Sequence, residues 1–200
     1  MPTRFIHSER VHSEEGGRYI GDLVFGANDG IITTFAVISG AAGADLSSGV
    51  VIILGLANLV ADGISMGLSN YLSLRSRKDF QKGLRAMEER EITEDPHDEL
   101  KEVENILKRW GTPQERIEEV ARAITQDKKR WVDLMMREEL GILENSVESP
   151  ARHGFATALA FVVCGALPLI PYVFGVSHER QFIVSIAATI GSLFVVGALR

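Results

Sequence analysis

Four stretches of the chain are almost free of charge. They cover positions 21–43, 49–72, 154–175 and 181–199, or 23, 24, 22 and 19 residues. A helix crosses the hydrocarbon core of a bilayer with roughly 20 apolar residues, so each stretch is long enough to span. Their only formal charges are Asp22, Asp29 and Asp62. A buried helix of this kind can occur singly in a soluble protein, but four in 200 residues point to a membrane. The pattern therefore predicts an all-α fold, a multi-span helical membrane protein. Nothing before Gly21 has the form of a signal-peptide apolar region, so the first helix is expected to be retained.

Between the second and third apolar stretches the pattern changes. Leu100, Val103, Leu107 and Trp110 form one stripe, introduced by Asp95-Pro96 as N-cap and first helical position and ended by Gly111. Ile117, Val120, Ala121 and Ile124 recur at helical spacing after Thr112-Pro113-Gln114-Glu115, which reads as a capping box. A third helix is expected from about Asp127 to Leu140, with Trp131, Leu134 and Met135 on its apolar side. Tyr71 to Ile92 holds no Pro and one Gly, so the second span is expected to continue as a long helix. The expected organisation is a polar segment over 1–18, transmembrane helices 1 and 2 over 19–74, a helical domain over 75–152, and transmembrane helices 3 and 4 over 153–200.

Overall composition hides this division. The chain is 46% hydrophobic and 24% charged, values typical of a soluble domain. Yet residues 75–152 carry 35 of its 48 Lys, Arg, Asp and Glu residues. A single cysteine, Cys164, excludes an intramolecular disulfide and a cysteine-based zinc site. The net charge of −6 argues against a nucleic-acid partner. No nucleophile–base motif, P-loop or dinucleotide fingerprint is present, so no enzyme is expected. Lys and Arg mark the side of the membrane. Arg4, Arg10 and Arg18 precede the first span, Arg75, Arg77, Lys78, Lys82 and Arg85 follow the second, and Arg152 precedes the third. The N-terminus and residues 75–152 are therefore expected to be cytoplasmic.

The intramembrane acids are the first candidate chemistry. A carboxylate at bilayer depth costs about 2.5–3.5 kcal/mol on insertion scales, so it normally faces a polar cavity or a partner. Asp22, Asp29 and Thr33 share one helix face. In the second span Asn58, Asp62, Met66 and Asn70 recur every four residues as a polar stripe with one thioether. The plain alternative is hydrogen bonding between helices. Gly26/Gly30 and Gly63/Gly67 are small-xxx-small pairs that permit close helix approach or a dimer face. Pro168 and Pro171 are expected to kink the third span.

The charged domain offers a second candidate. Glu88 and Glu91 are one turn apart, Glu99 and Glu102 repeat the spacing, and Met135, Met136 and Glu139 form a third set. Carboxylates one turn apart can share a hard divalent cation, and thioether sulfur shifts the preference toward softer first-row metals. The plain alternative is a solvated acidic face. His7 and His12 fall in the N-terminal segment, read as a polar arm.

Two segments carry a resemblance: Gly26-Ala27-Asn28-Asp29-Gly30-Ile31-Ile32-Thr33-Thr34-Phe35 and Ala61-Asp62-Gly63-Ile64-Ser65-Met66-Gly67-Leu68. With the Glu-rich insert and the run from Trp131 to Gly141 in the right order, the chain resembles the vacuolar iron transporter family over essentially its whole length. The resemblance implies export of ferrous iron from the cytoplasm in exchange for protons, with manganese or cobalt as alternative cargo and no cofactor. It implies a homodimer with the ion path between subunits. Asp29 and Met66 would line that path. Glu88, Glu91, Glu99, Glu102, Met135, Met136 and Glu139 would collect the metal, the methionines selecting against calcium and magnesium. Some members have glutamate where this chain has Asn58, and Asp62, one turn later, is expected to supply the charge instead. Either Asp29 or Asp62 would then carry the coupled proton.

The family has five spans and four are counted here, so a fifth is expected beyond Arg200. The membrane would be the cell inner membrane in a prokaryote and the vacuolar membrane in a eukaryote. A different class of function, a membrane-anchored divalent-metal sensor or buffer without translocation, would use the same acids. A third is a membrane scaffold whose acidic face is only solvated.

Overall fold

The computed structural model describes residues 14–142 and 149–198, and among these every regular element is a helix. The expectations for His7, His12 and the rest of the N-terminal arm up to position 13 lie outside the described residues. Helix α1 covers Glu14–Gly43, α2 Ser48–Glu94, α3 Pro96–Arg109, α4 Gln114–Thr125 and α5 Lys128–Glu138. After these come α6 (Pro150–Gly165), a 3-10 turn (Leu167–Leu169), α7 (Ile170–Val173) and α8 (His178–Ala198). Four segments are long and apolar enough to cross a membrane: Tyr19–Gly43, α2, Pro150–Val173 and Glu179–Ala198. The protein is an all-α membrane protein.

The chain divides into two compact units. One comprises residues up to Ser73 together with those from Ser149 onward, and the other is Leu74–Glu148. Helix α2 runs without interruption through the first boundary, because nothing between Tyr71 and Ile92 removes a helical hydrogen bond.

In the membrane unit, α6 is the central element. Gly26 and Gly30 of α1 lie directly on the backbone carbonyls of Thr157 and Phe161, and Gly63 and Gly67 of α2 lie on Val162, Ala158 and Gly154. A Cβ at Gly26 or Gly30 would collide with those carbonyls. Both small-xxx-small pairs thus serve close helix approach within the chain, and the face they form is taken by α6. Gly26, Gly30 and Gly67 meet backbone and Gly63 meets the Val162 side chain; apolar side chains gain nothing by leaving lipid, so close packing is what holds such helices together. Ile38, Val51, Leu59, Phe161, Leu169 and Tyr172 form the buried core.

The third span breaks where the prolines predict. After α6 the backbone tightens into the 3-10 turn at Leu167–Leu169 and resumes as α7. The freed carbonyl of Pro168 accepts a 2.8 Å hydrogen bond from Ser185 Oγ of α8, the kind of compensation that makes a break tolerable in lipid. The turn between α1 and α2 is closed by Asp45 in the left-handed region, φ 53°, with Leu46 N–H donating to Ala41 O.

In the second unit, α3 begins as expected. The Asp95 side chain accepts from Asp98 N–H, with Pro96 in the first turn. Helix α4 corrects an expectation. It begins at Gln114 with Pro113 as its N-cap and no side-chain cap, so Thr112 does not form a capping box. Proline provides a rigid entry but no acceptor side chain. Helix α5 is capped by Asp127, which accepts from Lys129 and Arg130 N–H. The unit's core joins Ile92, Val103, Ile106, Leu107, Ile117, Ala121, Trp131, Val132, Leu134, Met135 and Met136. Trp110, expected on the apolar stripe, is instead exposed and donates from Nε1 to Glu138 at 3.2 Å.

Candidate metal path and acidic cluster

Glu88 is 2% exposed, in the strongly charged second half of α2. The reason is its register. Leu84, Glu88 and Ile92 lie at i, i+4, i+8 on α2, and Leu84 and Ile92 both pack in the unit's core. On α3, Glu99 precedes Val103 and Ile106 by four and seven residues, and Glu102 precedes Ile106 by four. Glu139, just past α5, follows Met135 by four. Glu88, Glu99 and Glu102 are therefore drawn onto or beside apolar stripes, whereas Glu91 and Glu139 are exposed.

These carboxyls act on one another. Burial, followed by the charges of Glu99, Glu139 and Glu91, pushes the Glu88 carboxyl up to about 8. Burial, then Glu102, its charge and its hydrogen bond, raises Glu139 to about 7. Glu99 is raised as well, first by burial and then by Glu102 and Glu91. Glu88 Oε1 and Glu99 Oε2 are buried without a hydrogen-bond partner among the described residues. A buried acceptor without a donor is costly, and these two are lone pairs available to a cation. Among the described residues no three His, Cys, Asp or Glu side chains converge closely enough to hold an ion as they stand. Met135 is fully buried and Met136 is 7% exposed, both in the hydrophobic core.

In the membrane unit, Asp29 is half-buried in α1, and its side chain makes no hydrogen bond or ion pair among the described residues. Thr33 Oγ1 donates to the Asp29 backbone carbonyl at 2.8 Å, a local contact that leaves the carboxylate free. On α2, Asn58, Asp62, Met66 and Asn70 are all half-buried. They run beside the tightly packed ridge of Gly55, Leu59, Gly63 and Gly67. Asn58 Nδ2 is buried without a partner, and so is Thr34 Oγ1 on α1. Thr34 was missed by sequence reasoning. It lies inside the motif that carries the resemblance, and only its burial singles it out.

The sequence reading also missed a polar junction of α1, α2 and α6. Asp22 Oδ2 is paired with His153 Nδ1. Asn70 Nδ2 donates to Asp22 Oδ1 at 2.8 Å and to Thr157 Oγ1 at 2.7 Å. Thr157 Oγ1 donates to the His153 carbonyl at 3.0 Å. His153 and Thr157 are one turn apart at the start of an apolar span, the one signal by which they could have been picked out.

Comparison with known proteins agrees with the resemblance. The VIT family model matches residues 20–200. A vacuolar iron transporter 1 of Arabidopsis thaliana is 33% identical over 192 residues, covering 96% of this chain and 76% of that protein. A vacuolar iron transporter 1 of Eucalyptus grandis is 33% identical over 194 residues, 97% of this chain and 78% of its own length. A vacuolar iron transporter of Toxoplasma gondii is 35% identical over 200 residues, covering 96% and 66%.

Proposed function

The chain belongs to the VIT family, and from that premise we propose that it exports ferrous iron from the cytoplasm in exchange for protons, with manganese as a second cargo. The observation that carries this reading is the half-buried carboxylate of Asp29, without a partner among the described residues, in an apolar span whose other charge, Asp22, is paired with His153. Such a group is expensive in a membrane unless it serves an ion path. A carboxylate can hold either a proton or a cation, which is the simplest basis for exchange. Asp62 and Met66 on α2 would share the path, the thioether favouring a softer divalent ion over calcium or magnesium. Asn58, with its buried unpartnered amide, would line it.

Residues Leu74–Glu148 would lie on the cytoplasmic side, where the flanking Lys and Arg residues favour them. Glu88, Glu91, Glu99, Glu102 and Glu139 would draw in the cation and release protons on binding it. Met135 and Met136 would have to turn out of the core to join them. A homodimer with the path between subunits completes the reading.

Ferrous uptake into proteoliposomes under an imposed pH gradient tests it. The wild-type chain should respond to the gradient, and Asp29→Ala should lose at least nine-tenths of the flux. Undiminished flux in Asp29→Ala would remove the assigned path. The second reading, a membrane-anchored metal sensor or buffer, is favoured by the acidic cluster alone. It predicts metal binding by the full chain with no gradient-driven flux.

A further inference from the structure

We propose that His153, held by Asp22, is the proton-binding group at the cytoplasmic end of the spans. This rests on the exchange reading above and adds to it a second proton-binding group, outside the metal path. The side chains of His153 and Asp22 are 12% and 16% exposed, enclosed where α1, α2 and α6 meet. Asp22 accepts on both oxygens, from His153 on one and from Asn70 on the other. Imidazole is the side chain whose ordinary titration falls in the pH range of the cytoplasm.

The surroundings define what a proton would change. On α1, Tyr19 packs its ring against His153 with centroids 4.7 Å apart, and Asp22 supplies the charge paired with the ring. On α2 the neighbours are neutral: Asn70, and Tyr71, which packs beside Gly154. On α6, Thr157 is hydrogen-bonded to the His153 carbonyl and Arg152 is exposed.

In the neutral state Nδ1–H donates to the carboxylate, leaving the pair with one negative charge. The proton is accepted at Nε2, giving an imidazolium–carboxylate pair with no net charge, and the same nitrogen returns it to cytoplasmic water. No other atom gains or loses a bond. Asp22 and Asp29 lie two turns apart on one face of α1, roughly 10 Å along the axis. A divalent cation at Asp29 and an imidazolium at His153 repel, so arrival of one favours departure of the other. Asp22 thus has a positioning role.

The test uses the full chain in proteoliposomes loaded with ferrous ion, with flux followed across pH 5.5–8.5. His153→Gln keeps a hydrogen-bond donor but cannot titrate. It should carry iron down the iron gradient while losing at least five-fold of the wild-type response to an imposed pH gradient. Asp22→Asn keeps the imidazole but removes the carboxylate that holds it, and should alter the pH profile of the flux. It serves as the test if His153→Gln fails to reconstitute. A wild-type pH profile in either reconstituted variant overturns the assignment of His153. Absence of any pH response in the wild-type protein overturns the exchange reading instead.

Discussion

The two units use acids in opposite ways. In the membrane unit the three carboxylates of the apolar stretches are dispersed. Asp22 is paired with His153, while Asp29 and Asp62 stand half-buried in separate helices. In the helical unit, Glu88, Glu99 and Glu139 are raised by burial and then by the charges of neighbouring glutamates, Glu91 and Glu102 among them. Dispersal suits passage, since an ion must leave each site as readily as it enters. Grouping suits capture, since a divalent cation relieves several repulsions at once. The apolar surroundings differ in the same sense. Lipid-facing helices pack through backbone at glycines, whereas the helical unit closes a side-chain core in which Glu88 is buried.

The largest break in this comparison should come from Gly30→Leu. Its Cβ would strike the Phe161 carbonyl, and backbone cannot yield as a side chain does. The expected loss is about 3 kcal/mol or more, read as a fall in the thermal unfolding temperature of the detergent-solubilised chain. A stable Gly30→Leu variant would mean that α1 and α6 do not pack as described.

A smaller effect sharpens the other half. Both tryptophans, Trp110 and Trp131, lie in the helical unit, so tryptophan emission of the full chain reports that unit alone. Glu88 and Glu139 bind protons more tightly folded than unfolded, at about 8 and about 7 against an ordinary 4.5. Their contribution to stability is complete below about pH 4.5 and is lost as pH rises through 7 and 8. The denaturation midpoint of the metal-free chain should therefore fall between pH 5.5 and 8.5. Glu88→Gln should flatten the fall and gain about 2 kcal/mol at pH 8.5. A midpoint that climbs over that range would contradict the buried cluster.

The smallest expected effect is a control. Gly83 sits inside α2 with open space around it and an ordinary helical backbone. Gly83→Ala should stabilise the helical unit by about 0.8 kcal/mol, read from the same tryptophan signal, with ferrous flux unchanged.

The spans and most of α3 to α5 were legible because period and length carry them. Asp95 capped α3 as its spacing requires, and Pro168 broke the third span. Thr112 misled because a capping motif names residues without fixing where the chain turns. The acid spacing in the helical domain was visible, but burial was not. It becomes readable only when Glu88 is set beside Leu84 and Ile92 on one stripe. Asp22 and His153 are 131 positions apart, and no local pattern links them. The glycine pairs advertised close approach, but their partner is a helix that follows the whole charged domain.

Exchange itself is tested most directly by recording both ions at once. Proteoliposomes holding the wild-type chain would carry a ferrous-sensitive dye and a pH dye inside, with an outward proton gradient and ferrous ion outside. The account predicts iron entry matched in time by proton exit, with both abolished together in Asp29→Ala. Iron entry with no matching proton movement, or proton exit indifferent to iron, would contradict it.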